Sequence, residues 1–210
     1  AESCAARDFL SAGKVGSVEF GQIRGFNLAD MDGTNYRCGI DNPHLWEMAI
    51  HQFDLLRFLF ERDVERVFCT LLNPSWSWSK GNALTHAWLE LEGGVKVDYV
   101  GTYVTQGPQS TWENSWRFEG TGGTLLWHDS ADGPLQYVSG PGEVPEAVLA
   151  GPLPHENLQG TLNELLKAID RGAAAYCSGR DNLKSLAICS ACEISARERQ
   201  VVEVAEAPNC

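Results

Sequence analysis

The sequence predicts an α+β fold: an open, predominantly antiparallel β-sheet with helices packed on one face. The first observation is the order of the hydrophobic patterns, which run helix, strand, helix, several consecutive strands and then two helices. The second is that short glycine-containing turns separate several of these strands, and strands joined in this way pair antiparallel. The flanking helices then cover one face of the sheet. No internal repeat divides residues 1–210, which we expect to form one domain.

In the first half of the chain, helical and extended patterns alternate. A helical pattern opens the sequence and leads through a glycine-bounded turn into a first strand. After a polar, irregular segment comes WEMAIHQFDLLRFLF, residues 46–60, which is apolar on nearly all sides. It predicts a buried helix in which Asn42 is the N-cap and Pro43 takes the first helical position.

The second half begins with two-residue periodicity, which is typical of strands. The predicted strands lie within residues 65–73, 83–94, 95–105, 115–129 and 134–140. Two helices follow. The first, TLNELLKAIDRG at 161–172, has four apolar residues at helical spacing, and the second begins at a capping cluster of Ser178 and Asp181. QVVEVAEA, residues 200–207, predicts a closing edge strand.

The amino-acid composition argues against several classes of partner. The formal net charge is −12 and the sequence pI about 4.8, which argues against nucleic acid or an anionic membrane as a partner. No apolar run reaches the roughly 18 residues expected of a membrane span. The seven cysteines are odd in number and scattered, and their CxxC lies inside a predicted helix, so we expect buried thiols in a reducing, cytoplasmic compartment.

One polar stripe interrupts the apolar helix at 46–60. At about 100° per residue, Glu47, His51 and Asp54 fall within roughly 60° of one another. A histidine oriented by a carboxylate can accept a proton near neutral pH, as oxidation of a secondary alcohol requires. The same spacing also fits a structural histidine with Asp54 paired to Arg57, or three ligands of a metal-dependent hydrolase. Spacing alone leaves these alternatives open.

Four motifs, in order, give the sequence a family resemblance. GKVGSVEFGQI, WEMAIHQFDLLRFLF, WRFEGTGGTLLW and SGRDNLKSLAICSACEISA together resemble the C-terminal domain of the glucose-fructose oxidoreductase / inositol dehydrogenase / MocA (Gfo/Idh/MocA) family. The resemblance runs from about Ala5 to Val204. Residues 47–54 resemble the family's D-x-G-x-H-x-x-D pattern, with Glu47 in place of aspartate and Ala49 in place of glycine.

The resemblance implies the substrate-binding and oligomerisation half of an NAD(P)-dependent oxidoreductase acting on a sugar, polyol or inositol-like compound. NAD or NADP would be bound by an N-terminal Rossmann domain, which this chain lacks, so we expect the chain alone to be inactive and to bind no cofactor. Its free sheet face would form a homo-oligomer. No metal site is expected.

The resemblance also implies roles for individual residues. His51 corresponds to the catalytic base, with Glu47 orienting it or contacting a substrate hydroxyl. Asp54 would be a partner of these two residues that does not itself contact the substrate. The sequence adds weaker candidates for the substrate rim, which are Asn27 after the first strand, Trp112 in the loop QGPQSTWEN, and His155 before a helix. The alternative is a stand-alone, non-enzymatic module that binds a sugar or dimerises, in which His51 is structural.

Overall fold

The computed structural model describes residues 1–29, 33–129, 134–155, 157–175 and 178–205. Within these ranges a nine-stranded sheet forms the body of the chain, together with four α-helices. The helices are α1 (Glu2–Ser11), α2 (Ile50–Phe60), α3 (Asn157–Arg171) and α4 (Gly179–Glu198). The strands are β1 (Val18–Phe26), β2 (Val64–Leu72), β3 (Leu84–Leu91), β4 (Lys96–Thr102), β5 (Ser115–Gly120), β6 (Gly123–Trp127), β7 (Leu135–Val138), β8 (Glu146–Ala147) and β9 (Val202–Glu203).

The strands lie in the order β8-β7-β6-β5-β1-β4-β3-β2-β9, so the sheet is open at both ends. The β1–β4 pair is parallel, and every other neighbouring pair is antiparallel. This confirms the predicted open, predominantly antiparallel sheet. EGTGGT forms the β5–β6 hairpin turn, as its glycines predict, and β9 pairs with β2 at one edge.

One face of the sheet is covered by α1, α2 and α4. Alternate strand residues point into this layer, and Trp116, Tyr99 and Phe53 are among its largest fully buried side chains. Helix α1 packs on α2, while α4 packs on α2 and β2. The CxxC cysteines of α4 are completely buried, in agreement with the expectation of buried thiols.

The central helix begins as the sequence predicts but differs in its first turns. The backbone is helical from Pro43, and residues 45–49 then form a π-helical turn before α2. Its i→i+5 hydrogen bonds widen the turn, and such turns are frequent at functional sites. Glu47 lies in the π turn and His51 in α2.

The other difference concerns α3. Its apolar residues have the predicted helical spacing, but Ala168 is the one residue of this helix that is buried among those described. Leu162, Leu165, Leu166 and Ile169 are 46–65% exposed. The sheet and the other helices therefore leave the apolar side of α3 uncovered.

Candidate functional site

His51 lies in the first turn of α2 and points away from the core. Gln52 and Phe53 beside it are buried, whereas His51 and Asp54 are exposed. Among the described residues, none forms a hydrogen bond or ion pair with the His51 ring. The predicted stripe is therefore the outward face of the central helix, and His51 presents a solvent-accessible imidazole rather than a core histidine.

Glu47 is bound by the segment that precedes the helix. Its carboxylate accepts a hydrogen bond from Nε of Arg37, a partly exposed residue in the 3₁₀-helix Tyr36–Gly39. A hydrogen bond from the phenol of Tyr36 to Glu47 raises the pKa of Tyr36, and the Glu47 carboxylate likewise raises the pKa of Arg37. Among the described residues no hydrogen bond joins Glu47 to His51, so Glu47 is oriented by Tyr36 and Arg37.

Tyr103 is a buried residue whose phenol is influenced by the Glu47 carboxylate. It is 6% exposed, and burial together with the Glu47 charge raises the pKa of its phenol to about 12. Its ring packs edge-on against His44 at 5.1 Å between centroids. We define the polar cluster as Tyr36, Arg37, Glu47 and Tyr103, a set of hydroxyl, guanidinium and carboxylate groups suited to hydrogen-bonding a polyhydroxy compound.

Asp54, the third residue of the stripe, belongs to a different network. Its Oδ1 accepts a hydrogen bond from Ser185 Oγ of α4 at 2.8 Å and lies 3.5 Å from Nη1 of Arg57. The structural pairing of Asp54 with Arg57 that the spacing allows is thus present. Asp54 connects α2 to α4.

The three weaker candidates differ in how exposed their side chains are. Asn27 is buried immediately after β1, and among the described residues its Oδ1 has no hydrogen-bond partner. Trp112 is 71% exposed, and His155 is also exposed. Of the three, Asn27 alone offers a fixed, unpaired polar atom.

No pattern in the sequence groups Tyr36, Arg37 and Tyr103 into one site. Tyr36 and Arg37 lie in a segment whose only pattern is polarity, and their placement depends on Asn35, whose side chain accepts a hydrogen bond from the Arg37 amide at 3.0 Å. Tyr103 follows β4 directly. An Asx-type turn before a helix was the one local clue.

A groove of about 970 Å³ extends along α2 beyond the site. Its floor includes Asp54, Leu55 and Phe58 of α2, and its wall includes Ala174 and Ala175 after α3. Across the described part of the chain, no group of three or more His, Cys, Asp or Glu side chains is arranged to hold a metal ion. Glu47 and Asp54 are instead engaged with Arg37 and Arg57.

Within the ranges that the structure describes, no helix combines the length and the apolar character needed to cross a membrane.

Solved structures share the fold of this chain, and a family model matches its sequence. The chain is 28% identical over 214 residues to D-apiose dehydrogenase from Paraburkholderia graminis, which covers 95% of this chain and 56% of the relative. An oxidoreductase from Agrobacterium radiobacter, solved in complex with NAD⁺, L-tartaric acid and magnesium, is 20% identical with a TM-score of 0.79, covering 96% of this chain and 61% of its own. Aldose-aldose oxidoreductase from Caulobacter crescentus, complexed with glycerol, is 19% identical with the same TM-score, covering 97% and 60%.

The chain thus spans little more than half the length of these relatives. The model of the GFO/IDH/MocA C-terminal domain matches residues 4–126, which include the polar cluster and all of α2. On this match, and with a sheet of the predicted topology, the chain belongs to the Gfo/Idh/MocA family and corresponds to its C-terminal domain.

Proposed function

We propose that this chain is the substrate-binding half of an NAD(P)-dependent oxidoreductase that acts on a secondary alcohol of a sugar, polyol or inositol-like compound. Family membership supports the reaction class, and D-apiose dehydrogenase and aldose-aldose oxidoreductase are named for sugar substrates. The observation that carries the proposal is His51, whose imidazole is exposed on a largely buried helix that follows directly on the π turn containing Glu47.

His51 would accept the proton that the substrate hydroxyl loses. Oxidation of a secondary alcohol releases a hydride and a proton, and a bound nicotinamide dinucleotide supplies the hydride acceptor. The residues of this chain offer no glycine-rich strand–turn–helix segment for its phosphates, so we assign its binding to a preceding domain. The exposed imidazole of His51 accepts the hydroxyl proton, a contribution of about 10²- to 10⁴-fold to the rate.

The polar cluster would orient the substrate. Because Arg37 and Tyr36 hold the Glu47 carboxylate, its remaining acceptor capacity can receive a hydrogen bond from a second substrate hydroxyl. The Arg37 guanidinium, which uses Nε for Glu47, retains further N–H donors for sugar oxygens. Asp54 would position α2 against α4 without touching the substrate. Asn27, Trp112 and His155 stay predictions for the rim.

Mutation of His51 in the intact protein, including any domain encoded upstream of Ala1, tests this function. We expect His51→Asn to lower kcat for sugar or polyol oxidation by about 10²- to 10⁴-fold. Dinucleotide binding and the unfolding midpoint should be unchanged, because His51 is exposed and contacts no core residue through a hydrogen bond. Unaltered turnover in the variant would overturn the role of His51. The absence of any turnover in the intact native protein would favour a non-enzymatic binding module.

We also propose that the uncovered sheet face forms a homo-oligomer. Phe20, Phe26, Phe68 and Leu72 are 36–53% exposed on this face. Trp88 lies between Phe68 and Asp98 in the strand register, so the aromatic residues are continuous across β2 and β3. Exposed aromatic and apolar residues grouped on one surface are typical of self-association. The buried, free thiols support a reducing compartment such as the cytoplasm.

A further inference from the structure

The start of the central helix is tied to α4 by one carboxylate. Glu193 of α4 accepts a hydrogen bond at Oε1 from the side-chain amide of Asn42 at 2.6 Å. The same oxygen accepts a second hydrogen bond from the indole Nε1 of Trp46 at 2.7 Å. Hydrogen bonds to a carboxylate are shorter and stronger than those between two neutral groups. Two residues four positions apart, at the beginning of the helix, are thus fixed to the same side chain.

A further hydrogen bond extends this contact to the sheet. The Asn42 side chain, which is buried, accepts at Oδ1 from Nδ2 of Asn82 at 2.8 Å. The backbone amide of Asn82 in turn donates to the carbonyl of Asp41 at 2.6 Å. Asn82 lies two residues before β3, so the helix start is connected to the sheet as well as to α4. We define the anchor network as Asn42, Trp46, Asn82 and Glu193.

The anchor network holds the residue next to Glu47. Trp46 directly precedes Glu47, and both lie in the π turn at residues 45–49. Successive side chains of a helical turn leave its axis in fixed relative directions, so holding the Trp46 indole fixes the rotation of the turn about its axis. The direction of the Glu47 carboxylate follows from that rotation. Arg37 and Tyr36 bind this carboxylate where the turn presents it.

We propose that Glu193 is a positioning residue of the substrate site. Through Asn42 and Trp46 it sets the rotation of the π turn, and in this way it directs the Glu47 carboxylate at the substrate. This inference rests on the proposed function. Glu193 acts through its neighbours and does not itself contact the substrate. Loss of its carboxylate therefore weakens substrate binding more than it slows the chemical step, which depends on His51.

Steady-state kinetics of the intact protein, including any domain encoded upstream of Ala1, test the proposal. We expect Glu193→Ala to raise KM for the sugar or polyol at least about ten-fold and to lower kcat less than about three-fold, because the contact made by Glu47 is lost while His51 remains. Glu193→Gln keeps an acceptor oxygen and should hold KM within about three-fold of the native value. Glu198→Ala removes an exposed carboxylate from the same helix and should change neither constant. Equal KM values for the native protein and Glu193→Ala overturn the proposal.

A double-variant cycle separates positioning from an independent contribution of Glu193. In the Glu47→Ala background, the carboxylate whose direction Glu193 sets is absent. Adding Glu193→Ala should then raise KM less than about two-fold beyond the effect of Glu47→Ala alone. If the effects of the two substitutions multiply instead, Glu193 acts independently of Glu47, and the proposal is overturned.

Amide hydrogen exchange reports on the π turn without a substrate. We expect Glu193→Ala to speed the exchange of the amides at residues 47–51 at least about ten-fold, whereas Glu193→Gln and Glu198→Ala should leave it unchanged. Unaltered exchange in Glu193→Ala overturns the proposal, whether or not the protein oxidises a sugar or polyol. The proposed function fails separately, if the native intact protein oxidises none of these compounds with NAD⁺ or NADP⁺ while the exchange responds as expected.

Discussion

At the scale of single residues, His44 is a titratable group enclosed by the core. It is fully buried, its Nδ1 lies 3.1 Å from Thr85 Oγ1, and Nε2 has no partner among the described residues. Burial lowers the pKa of its imidazole to about 3. A Cβ at Gly101 would lie 2.4 Å from its Cε1, so the absence of a side chain at 101 is what lets the ring fit. His44 therefore packs as a neutral ring at the start of the central helix.

This residue should make the stability depend on pH. Below its ordinary pKa of 6.5 the imidazole is protonated in the unfolded chain but stays neutral in the folded chain down to about pH 3. The unfolded state then binds more protons, so the free energy of unfolding falls as the pH falls through this window. We expect the difference between the native chain and His44→Gln to shrink by about 2 kcal/mol from pH 6.5 to pH 5, in urea denaturation.

His155→Gln is the matched control for this experiment, because His155 is exposed. This variant keeps His44, so it should keep the pH dependence of the native chain. A His44→Gln variant whose difference from the native chain does not change with pH would show that the ring is not held neutral by burial.

At the scale of elements, one buried guanidinium joins α2 to α4. Arg57 is 7% exposed and donates from Nε to Asp63 at 2.9 Å, from Nη2 to Asp181 at 2.9 Å and from Nη1 to Ser185 at 3.0 Å. Although burial opposes its charge, the hydrogen bonds to Asp181 and Asp63 outweigh that effect and raise the pKa of Arg57. The orientation of α2, and with it of His51, depends on this contact.

Removing the Arg57 guanidinium should therefore lower the stability of the fold. We expect Arg57→Ala to lower the free energy of unfolding by about 2–4 kcal/mol, because several charge-assisted hydrogen bonds are lost and a cavity remains. Lys184→Ala, which removes an exposed partner of Asp63, should cost less than about 1 kcal/mol. Denaturant titration of both variants measures the contrast, and equal losses would contradict a special role for the buried guanidinium.

The same scale shows what the sequence could and could not predict. Periodicity and turn residues predicted the sheet, its hairpins and the helices because those depend on local chemistry. The pattern at residues 46–60 placed His51 in a polar stripe of the central helix, but it could not indicate the π turn at residues 45–49 that contains Glu47. Nor could it show that Arg37, ten residues upstream, binds Glu47, since that contact depends on how an irregular segment folds back. For α3 the spacing was predicted correctly, and the uncovered side depends on the packing of other elements.

At the scale of the whole molecule, the sheet has one face covered by helices and one uncovered face. The helical layer carries His51, Glu47 and the groove. The opposite face carries Phe68, Trp88 and Phe20, with His86 and Asp98 joined at 2.9 Å among them. A partner on one surface does not obstruct the other. The homo-oligomer that we propose for the uncovered face would therefore leave His51 accessible on the other side.

Self-association through the uncovered face makes a prediction about this chain. In a two-fold dimer each substitution acts twice, and losing a buried phenylalanine costs about 1.5–3 kcal/mol per copy. We therefore expect Phe68→Glu to weaken dimerisation by about a hundred-fold or more, as measured by sedimentation velocity across a series of protein concentrations. Leu149→Glu is the matched control, since Leu149 is an apolar residue that is 88% exposed but lies outside this face. A chain that sediments as a monomer at every concentration, or one whose dimer tolerates Phe68→Glu, would mean that the aromatic surface serves some other contact.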